Sequence, residues 1–360
     1  MPRTAVSQLM QKIDASAASC RGCSITLTRI ATLGSIDDDV LPAISSSRIF
    51  STNSKGEFFV PSFGVDQVVV YSKSGKFLRT IGQKGDGPGE FRSVLSIASG
   101  VNDSIYVLSA ARVTIYSNSF LLARTVPLKF SPFGALTALP NGDIVSDAGS
   151  PNTSPQPLRI TSASGAATPA GPATNVPATV CPVCGAYIVS ASRTPGAFWT
   201  LGPNSYLIER RKAGGDVALQ LQLTNSPWYR PWGRTYVVDR ENPPPTILKS
   251  VKEDADGRLW IVGDGPTPKW HPMPFIGEVA GRGRVALSSP VGGSVLDKER
   301  LDRVYTVIDV IDPTSARLVV STMFTGRQLR LVAPALLAEV REDANGIGVL
   351  DIFRAEIKKP

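Results

Sequence analysis

The sequence predicts an all-β fold, a ring of six four-stranded blades, from three observations. A tight turn followed by an apolar strand recurs at 54–60, 101–108, 140–146, 194–201, 255–262 and 344–351. The turns carry Asn-Gly, Asp-Gly or similar pairs, which close hairpins because they tolerate a positive φ. Each turn sits in a unit of about 40 residues with four strand-like runs, the length of a β-propeller blade. The last unit stops one strand short, and the N-terminal run S-I-T-L-T-R-I-A-T-L-G (24–34) offers a spare strand. Pairing the two closes the ring and removes two open sheet edges.

Taken in order, residues 1–23 form an N-terminal extension and 24–34 the closing strand. Blades are expected at 43–82, 93–128, 134–170, 186–223, 246–324 and 327–358, in a single domain spanning 24–360. Outer hairpins mark most of them. Q-V-V-V-Y-S-K-S-G-K-F-L-R-T-I-G (67–82) is strand, Ser-Gly turn, strand, and 113–126, 157–168, 206–221 and 304–322 repeat the pattern. Two stretches fall outside the repeat: 225–246, between blades four and five, and 264–303, inside blade five, with a short helical pattern at 295–304. Long insertions on a rigid scaffold are where binding usually resides.

The joint between blades one and two is I-G-Q-K-G-D-G-P-G-E-F (81–91). Its glycines exclude a helix or strand interior. A phosphate cradle would need a following Gly-Lys-Ser/Thr and a helix, and neither is present. It reads as a structural loop. Gly85, Gly87 and Gly89 give backbone freedom, Pro88 stiffens the turn, and Glu90 leads into Phe91, which anchors on the next blade.

The 360 residues are 42% hydrophobic and 19% charged, with 32 Gly and 29 Pro, which suits a turn-rich core-forming domain. No apolar run reaches the ~18 residues of a membrane span. The net charge is +8 but the basic residues are scattered, so no nucleic-acid partner is expected. The first 19 residues lack the apolar h-region of a secretory signal, although Ala-Ser-Ala at 15–17 resembles a cleavage site. Either the protein is cytoplasmic or the start shown lies downstream of the true signal.

The chemistry-bearing residues are few. Two C-x-x-C pairs, Cys20/Cys23 and Cys181/Cys184, lack the following His of c-type haem attachment. They could together hold zinc, or act as two local pairs, oxidised or as thiols. In the ring, the two pairs precede strands of non-neighbouring blades, so a shared zinc requires the N-terminal tail to wrap around. Asp37-Asp38-Asp39, Asp86/Glu90, Asp254/Asp256 and Asp302 are oxygen donors of the kind calcium accepts, but Asp also caps its own turns. His271 is the single histidine and cannot build a multi-His centre. The binding candidates are the aromatic-basic residues of the insertions: Trp228, Tyr229, Arg230, Trp232, Arg234 and Tyr236, with Trp270 and His271. Trp, Tyr and Arg dominate interface hot spots. The competing reading is that the tryptophans tuck into blades four and five and pin the loop.

The stretch V-V-V-Y-S-K-S-G-K-F-L-R-T-I-G-Q-K-G-D-G-P-G-E-F (68–91) resembles a signature of bacterial six-bladed propellers related to the NHL-repeat and TolB-like proteins, and A-D-G-R-L-W-I-V (255–262) resembles their later blades. The resemblance implies the fold and favours an extracytoplasmic setting, many such proteins being exported or lipid-anchored. Catalytic relatives of the lactonase-like or lyase-like kind use carboxylates or histidines of the central channel, and this chain lacks the histidines. The expected function is a non-catalytic ligand- or protein-binding scaffold working through insertions on one face. The alternative is a lactonase-like or lyase-like enzyme with calcium in the channel.

Overall fold

In the computed structural model, the structure describes residues 10–35, 37–38, 50–62, 65–130, 132, 134–147, 158–170, 187–202, 205–230, 246–268, 304–343 and 348–360. Two strands, β1 (Gln11–Asp14) and β2 (Ser24–Leu33), precede the first blade. Blade one is β3 (Ser51–Thr52), β4 (Phe58–Pro61), β5 (Val68–Tyr71) and β6 (Phe77–Ile81). A small parallel ribbon follows, β7 (Gln83–Lys84) with β8 (Glu90–Phe91). Blade two is β9 (Val94–Ser99), β10 (Ile105–Ser109), β11 (Arg112–Tyr116) and β12 (Leu122–Pro127). Blade three is β13 (Leu136–Ala138), β14 (Ile144–Asp147), β15 (Leu158–Thr161) and β16 (Ala167–Ala170).

Blade four is β17 (Ile188–Ala191), β18 (Ala197–Leu201), β19 (Leu207–Lys212) and β20 (Val217–Thr224). Blade five is β21 (Ile247–Glu253), β22 (Leu259–Pro266), β23 (Val304–Asp312) and β24 (Arg317–Thr325). Blade six is β25 (Leu329–Ala333), β26 (Leu336–Glu342) and β27 (Gly348–Lys358), completed on its outer edge by β2. Among the described residues the one helical piece is a 3₁₀ turn, Val101–Asp103, and no helix is long and apolar enough to cross a membrane. The helical pattern at 295–304 lies outside the described residues except for Val304, which opens β23.

The six inner strands β3, β9, β13, β17, β21 and β25 each neighbour the next, and β25 returns to β3, so the ring is closed. Closure is made by β2 against β27, antiparallel from Ser24↔Lys358 to Leu33↔Leu350. Asp351 reinforces it: Thr32 Oγ1 donates to Oδ1 at 2.5 Å, while Arg29 Nη1 (3.4 Å) and Arg341 Nε (2.5 Å) donate to Oδ2. Burial pushes the Asp351 carboxyl up, but Arg341, Thr32 and Arg29 outweigh it and hold the pKa below the ordinary value.

The core is six slabs, each shared by two adjacent blades. Phe58 of β4 faces blade six, with Leu33, Leu350 and Ile352, while its neighbour Phe59 faces blade two, with Val94, Ile97 and Val107. Both faces of a middle strand are therefore covered, which is why β4, β5 and β10 are apolar at nearly every position rather than alternating. Outer strands keep a wet side, and inner strands are partly open toward the ring axis.

The stretch taken from sequence as an N-terminal extension is part of the fold from Met10 onward. β1 adds to the outer edge of blade four, parallel to β20 from Gln11↔Leu221 to Asp14↔Thr224. The chain then crosses blade five, where Ser19 N donates to Leu318 O (2.8 Å) and Cys20 N to Val319 O (3.1 Å), and reaches blade six as β2. Ile13 is 1% exposed and packs with Ala15 into the slab between blades four and five. The tail thus wraps three blades as a belt. Its short strand was invisible to the repeat pattern because its partner is parallel and 210 residues away in sequence.

Candidate functional site

The inner strands of all six blades enclose a cavity of about 250 Å³ on the ring axis. Much of its wall is small or hydroxylated, including Ser51, Ala98, Ser99, Thr137, Ser190, Ala191 and Ser250. Some of these hydroxyls join blades: Ser51 and Ser99 share a 3.0 Å hydrogen bond, and Ser99 Oγ donates to Thr52 O at 2.9 Å.

Four charged residues also line it: Lys249, Lys252 and Glu253 of β21, and Arg330 of β25. Two have protein partners. Lys249 pairs with Asp264, whose other oxygen accepts from Thr306 Oγ1 at 2.8 Å. Glu253 is turned toward blade four, where Oε2 accepts from Ser192 Oγ (2.8 Å), Arg193 N (2.8 Å) and Trp199 Nε1 (2.7 Å). Lys252 and Arg330 have no ion pair or hydrogen bond among the described residues. Burial lowers the Lys252 pKa from its ordinary value and brings Arg330 down to about 10, and no carboxylate opposes either shift. Both side chains remain partly accessible from the channel.

This donor set does not fit calcium. Among the described residues its one wall carboxylate, Glu253, is committed to three donors of blade four, and the other wall charges are cations. The remaining candidate carboxylates that are described do turn work. Asp254 Oδ1 accepts from Asp256 N and Arg258 N (both 2.9 Å), and its Oδ2 accepts from Trp260 Nε1 at 2.9 Å. Asp86 pairs with Arg92, and Asp38 accepts from Tyr71 OH at 3.1 Å. Asp39 and Asp302 lie outside the described residues. No group of three His, Cys, Asp or Glu suited to a metal occurs among the described residues.

The aromatic-basic candidates divide. Trp228 is 5% exposed, in the slab between blades four and five. Its Nε1 donates to Asp309 Oδ2 at 3.1 Å, and Tyr206 OH donates to the same oxygen at 2.7 Å. Burial holds the Asp309 pKa above the ordinary carboxylate value against its donors Ser321, Tyr206 and Trp228. Tyr229 packs beside it, its ring 5.9 Å from Trp228 and 5.2 Å from Tyr206, with its hydroxyl buried. Gly263 leaves the room: a Cβ there would stand 2.6 Å from the Trp228 ring. Trp228 thus fills a core slot and Tyr229 packs half-buried beside it, the arrangement of the competing reading in which these aromatics pin the loop. Arg230 leads back to blade five by backbone, its N–H donating to Thr246 Oγ1 at 2.9 Å. Trp232, Arg234, Tyr236, Trp270 and His271 lie outside the described residues.

Cys20 and Cys23 are joined by a disulfide at the corner where the belt leaves blade five for blade six, so in this state they offer no thiolate to zinc. Cys181 and Cys184 lie outside the described residues. The part of the tail that reaches blade four is Gln11–Asp14, not the cysteine pair.

The 81–91 loop is a self-contained corner. Glu90 Oε2 accepts from Gly87 N at 2.7 Å and Oε1 from Gln83 Nε2 at 2.8 Å. Arg112 donates to the carbonyls of Asp86 (2.8 Å), Gly85 (3.2 Å) and Glu90 (2.6 Å). Tyr116 OH donates to Gly89 O at 3.0 Å, and the buried Phe91 meets the Tyr116 ring edge-on. Gly82, at φ +74, lies so close to the Phe91 ring and Gly89 O that a side chain would collide with both. Pro88 needs no side-chain partner to stiffen the turn.

Lys252 and Arg330 were not singled out from sequence. For Lys252 the signal was present in β21, Ile247–Glu253, an inner strand with three charges where β3, β9, β13 and β17 carry none. Reading it needs knowledge of which strands line the axis.

A sequence model of the DUF5128 family, described as a six-bladed β-propeller, matches residues 43–141. A search of curated proteins finds no match to this sequence. Among solved structures, a putative exported protein of Bacteroides fragilis NCTC 9343 superposes with a TM-score of 0.59 at 12% identity, over 97% of this chain and 99% of that one. A member of the DUF4221 family from Bacteroides vulgatus ATCC 8482 gives 0.57 at 11% identity, over 93% and 99%. Identities this low speak for the fold alone. The chain is a six-bladed β-propeller, similar over residues 43–141 to the DUF5128 propellers.

Proposed function

We propose that this propeller is a non-catalytic binding module whose small ligand sits in the axial cavity. The observation that carries the reading is the cavity itself: about 250 Å³, walled by all six blades, lined by hydroxyl and cationic side chains set among apolar ones, and without a free carboxylate pair for acid–base work among the described residues. That volume lies just under the ~300–1,000 Å³ of typical small-molecule sites, so the ligand is small. Under the same reading, a protein partner would be met through the insertion residues Trp232, Arg234, Trp270 and His271, which lie outside the described residues. The Cys20–Cys23 disulfide supports an oxidising, extracytoplasmic setting, where such bonds persist.

Ala191 is an exposed wall residue, so Ala191→Trp fills the cavity without touching a core slab. A panel of neutral, anionic and cationic small molecules is screened by ligand-observed NMR against both proteins. The reading expects at least one ligand that binds the native protein and is lost in Ala191→Trp. If every binder is retained by the plugged variant, the cavity is not the site.

A further inference from the structure

We propose that the axial cavity is an anion site, taking a small carboxylate or phosphate compound between Lys252 of blade five and Arg330 of blade six. The assignment rests on the cavity-binding reading and gives it a ligand class. It starts from how β21 faces. Successive side chains of a strand point to opposite sides. Val251 packs into the slab with blade four, and Glu253 reaches Trp199 of the same blade. Ser250 and Lys252 therefore point the other way, and Ser250 Oγ indeed accepts from Leu331 N of blade six at 3.4 Å. The wall carboxylate and Lys252 are on opposite sides of one strand, so Glu253 does not neutralise the lysine.

Arg330 shows the same separation. Its neighbours Leu329 and Leu331 face blade five, while Arg330 lies on the other side of β25 with Val332, which packs toward blade one. Nearby acids are already used: Asp264 by Lys249 and Thr306, and Glu339 by Arg327. Enclosed cations without counter-charges work against folding. Lowered pKa values of both groups report that cost, and a bound anion would relieve it.

Geometry also suggests the ligand's shape. Arg330 precedes Leu331 by one residue, and Lys252 follows Ser250 by two. The two cations therefore stand on different inner strands at different positions relative to the Ser250–Leu331 contact. Arg offers a fork for a planar oxyanion and Lys a point charge, so an extended ligand with two acidic groups suits the pair.

The test uses the full chain, with inorganic phosphate and glutarate as probes and glycerol as the neutral control, measured by calorimetric titration at fixed ionic strength. Native protein is expected to bind one or both anions, and the preferred probe tells phosphate from carboxylate chemistry. Lys252→Met with Arg330→Met should weaken binding at least about tenfold, while Lys252→Arg and Arg330→Lys, which keep the charges, retain it. Thermal melts of all variants establish that they fold. The proposal is overturned if neither anion binds native protein, or if the double Met variant binds as well as native. A neutral ligand still lost in Ala191→Trp would then leave the cavity as a site of different chemistry, whereas no cavity ligand at all would remove the binding reading too.

Discussion

Trp228→Ala separates a pinned loop from a surface binding patch. The indole is 5% exposed and meets Tyr206 and Tyr229 edge-on, at 5.6 Å and 5.9 Å between ring centres. Removing a core aromatic ring costs about 3–5 kcal/mol through lost transfer energy and the cavity left behind. Here the change also takes one of the donors from the buried Asp309 carboxyl, so a loss of about 4 kcal/mol is expected. Trp228→Phe keeps most of the ring contacts and drops only the N–H, for a loss of about 1–2 kcal/mol. Urea unfolding measures both, read as a shift of midpoint at constant m-value. Gly263→Ala provides the internal control, because its methyl would press on the same ring. It should destabilise native protein but cost about 1–2 kcal/mol less beside Trp228→Leu, where that space is free. If Trp228→Ala costs under about 1 kcal/mol, the indole does not hold blades four and five together and the pinning account is wrong.

Acid should open the ring at its closure. The Asp351 carboxyl has a lowered pKa in the folded protein, so its contribution is complete above the unfolded carboxylate value of about 3.9 and is lost as pH falls through the folded pKa. Asp351→Asn should be less stable than native protein at pH 6, with the gap narrowing as pH falls below the ordinary carboxylate range; parallel curves across that fall would remove Asp351 from the closure. The Cys20–Cys23 disulfide closes a very short loop, worth about 2 kcal/mol in the chain-entropy view. Under oxidising conditions, Cys20→Ser with Cys23→Ser should lower unfolding free energy by that amount, and the difference from native protein should vanish in excess dithiol. Equal stability without reductant would show that the bond does not support the belt.

Blade repetition was legible because it is local. Asn-Gly, Asp-Gly and Ser-Gly turns demand positive φ, seen at Gly75, Gly142, Gly165 and Gly257, and fix hairpins within a few residues of sequence. The spare strand 24–34 was legible for a related reason: a missing edge in the last unit and an unused strand in the first call for each other. Chemistry was harder to read. Trp228 and Arg230 lie two residues apart, and both are typical of binding surfaces, yet one fills a core slot and the other follows it out of the slab. Sequence proximity did not reveal Asp309, which receives the indole from 81 residues away.

From sequence alone the chain was bound to be β and built in six units, since turn chemistry is settled by near neighbours, and a missing strand in the last unit called for the spare one at the N-terminus. Tertiary structure decided what the charges do. Three of them share the inner strand β21: pairing with β22 within the blade joins Lys249 to Asp264, packing of blade four turns Glu253 into a bridge, and Lys252 is left on the cavity wall that Arg330 also lines. Likewise Gln11–Asp14 carries no mark of a strand until the outer edge of blade four is there to receive it. A charge or an edge acquires its role from whatever the ring brings opposite it, and that partner lies far along the chain.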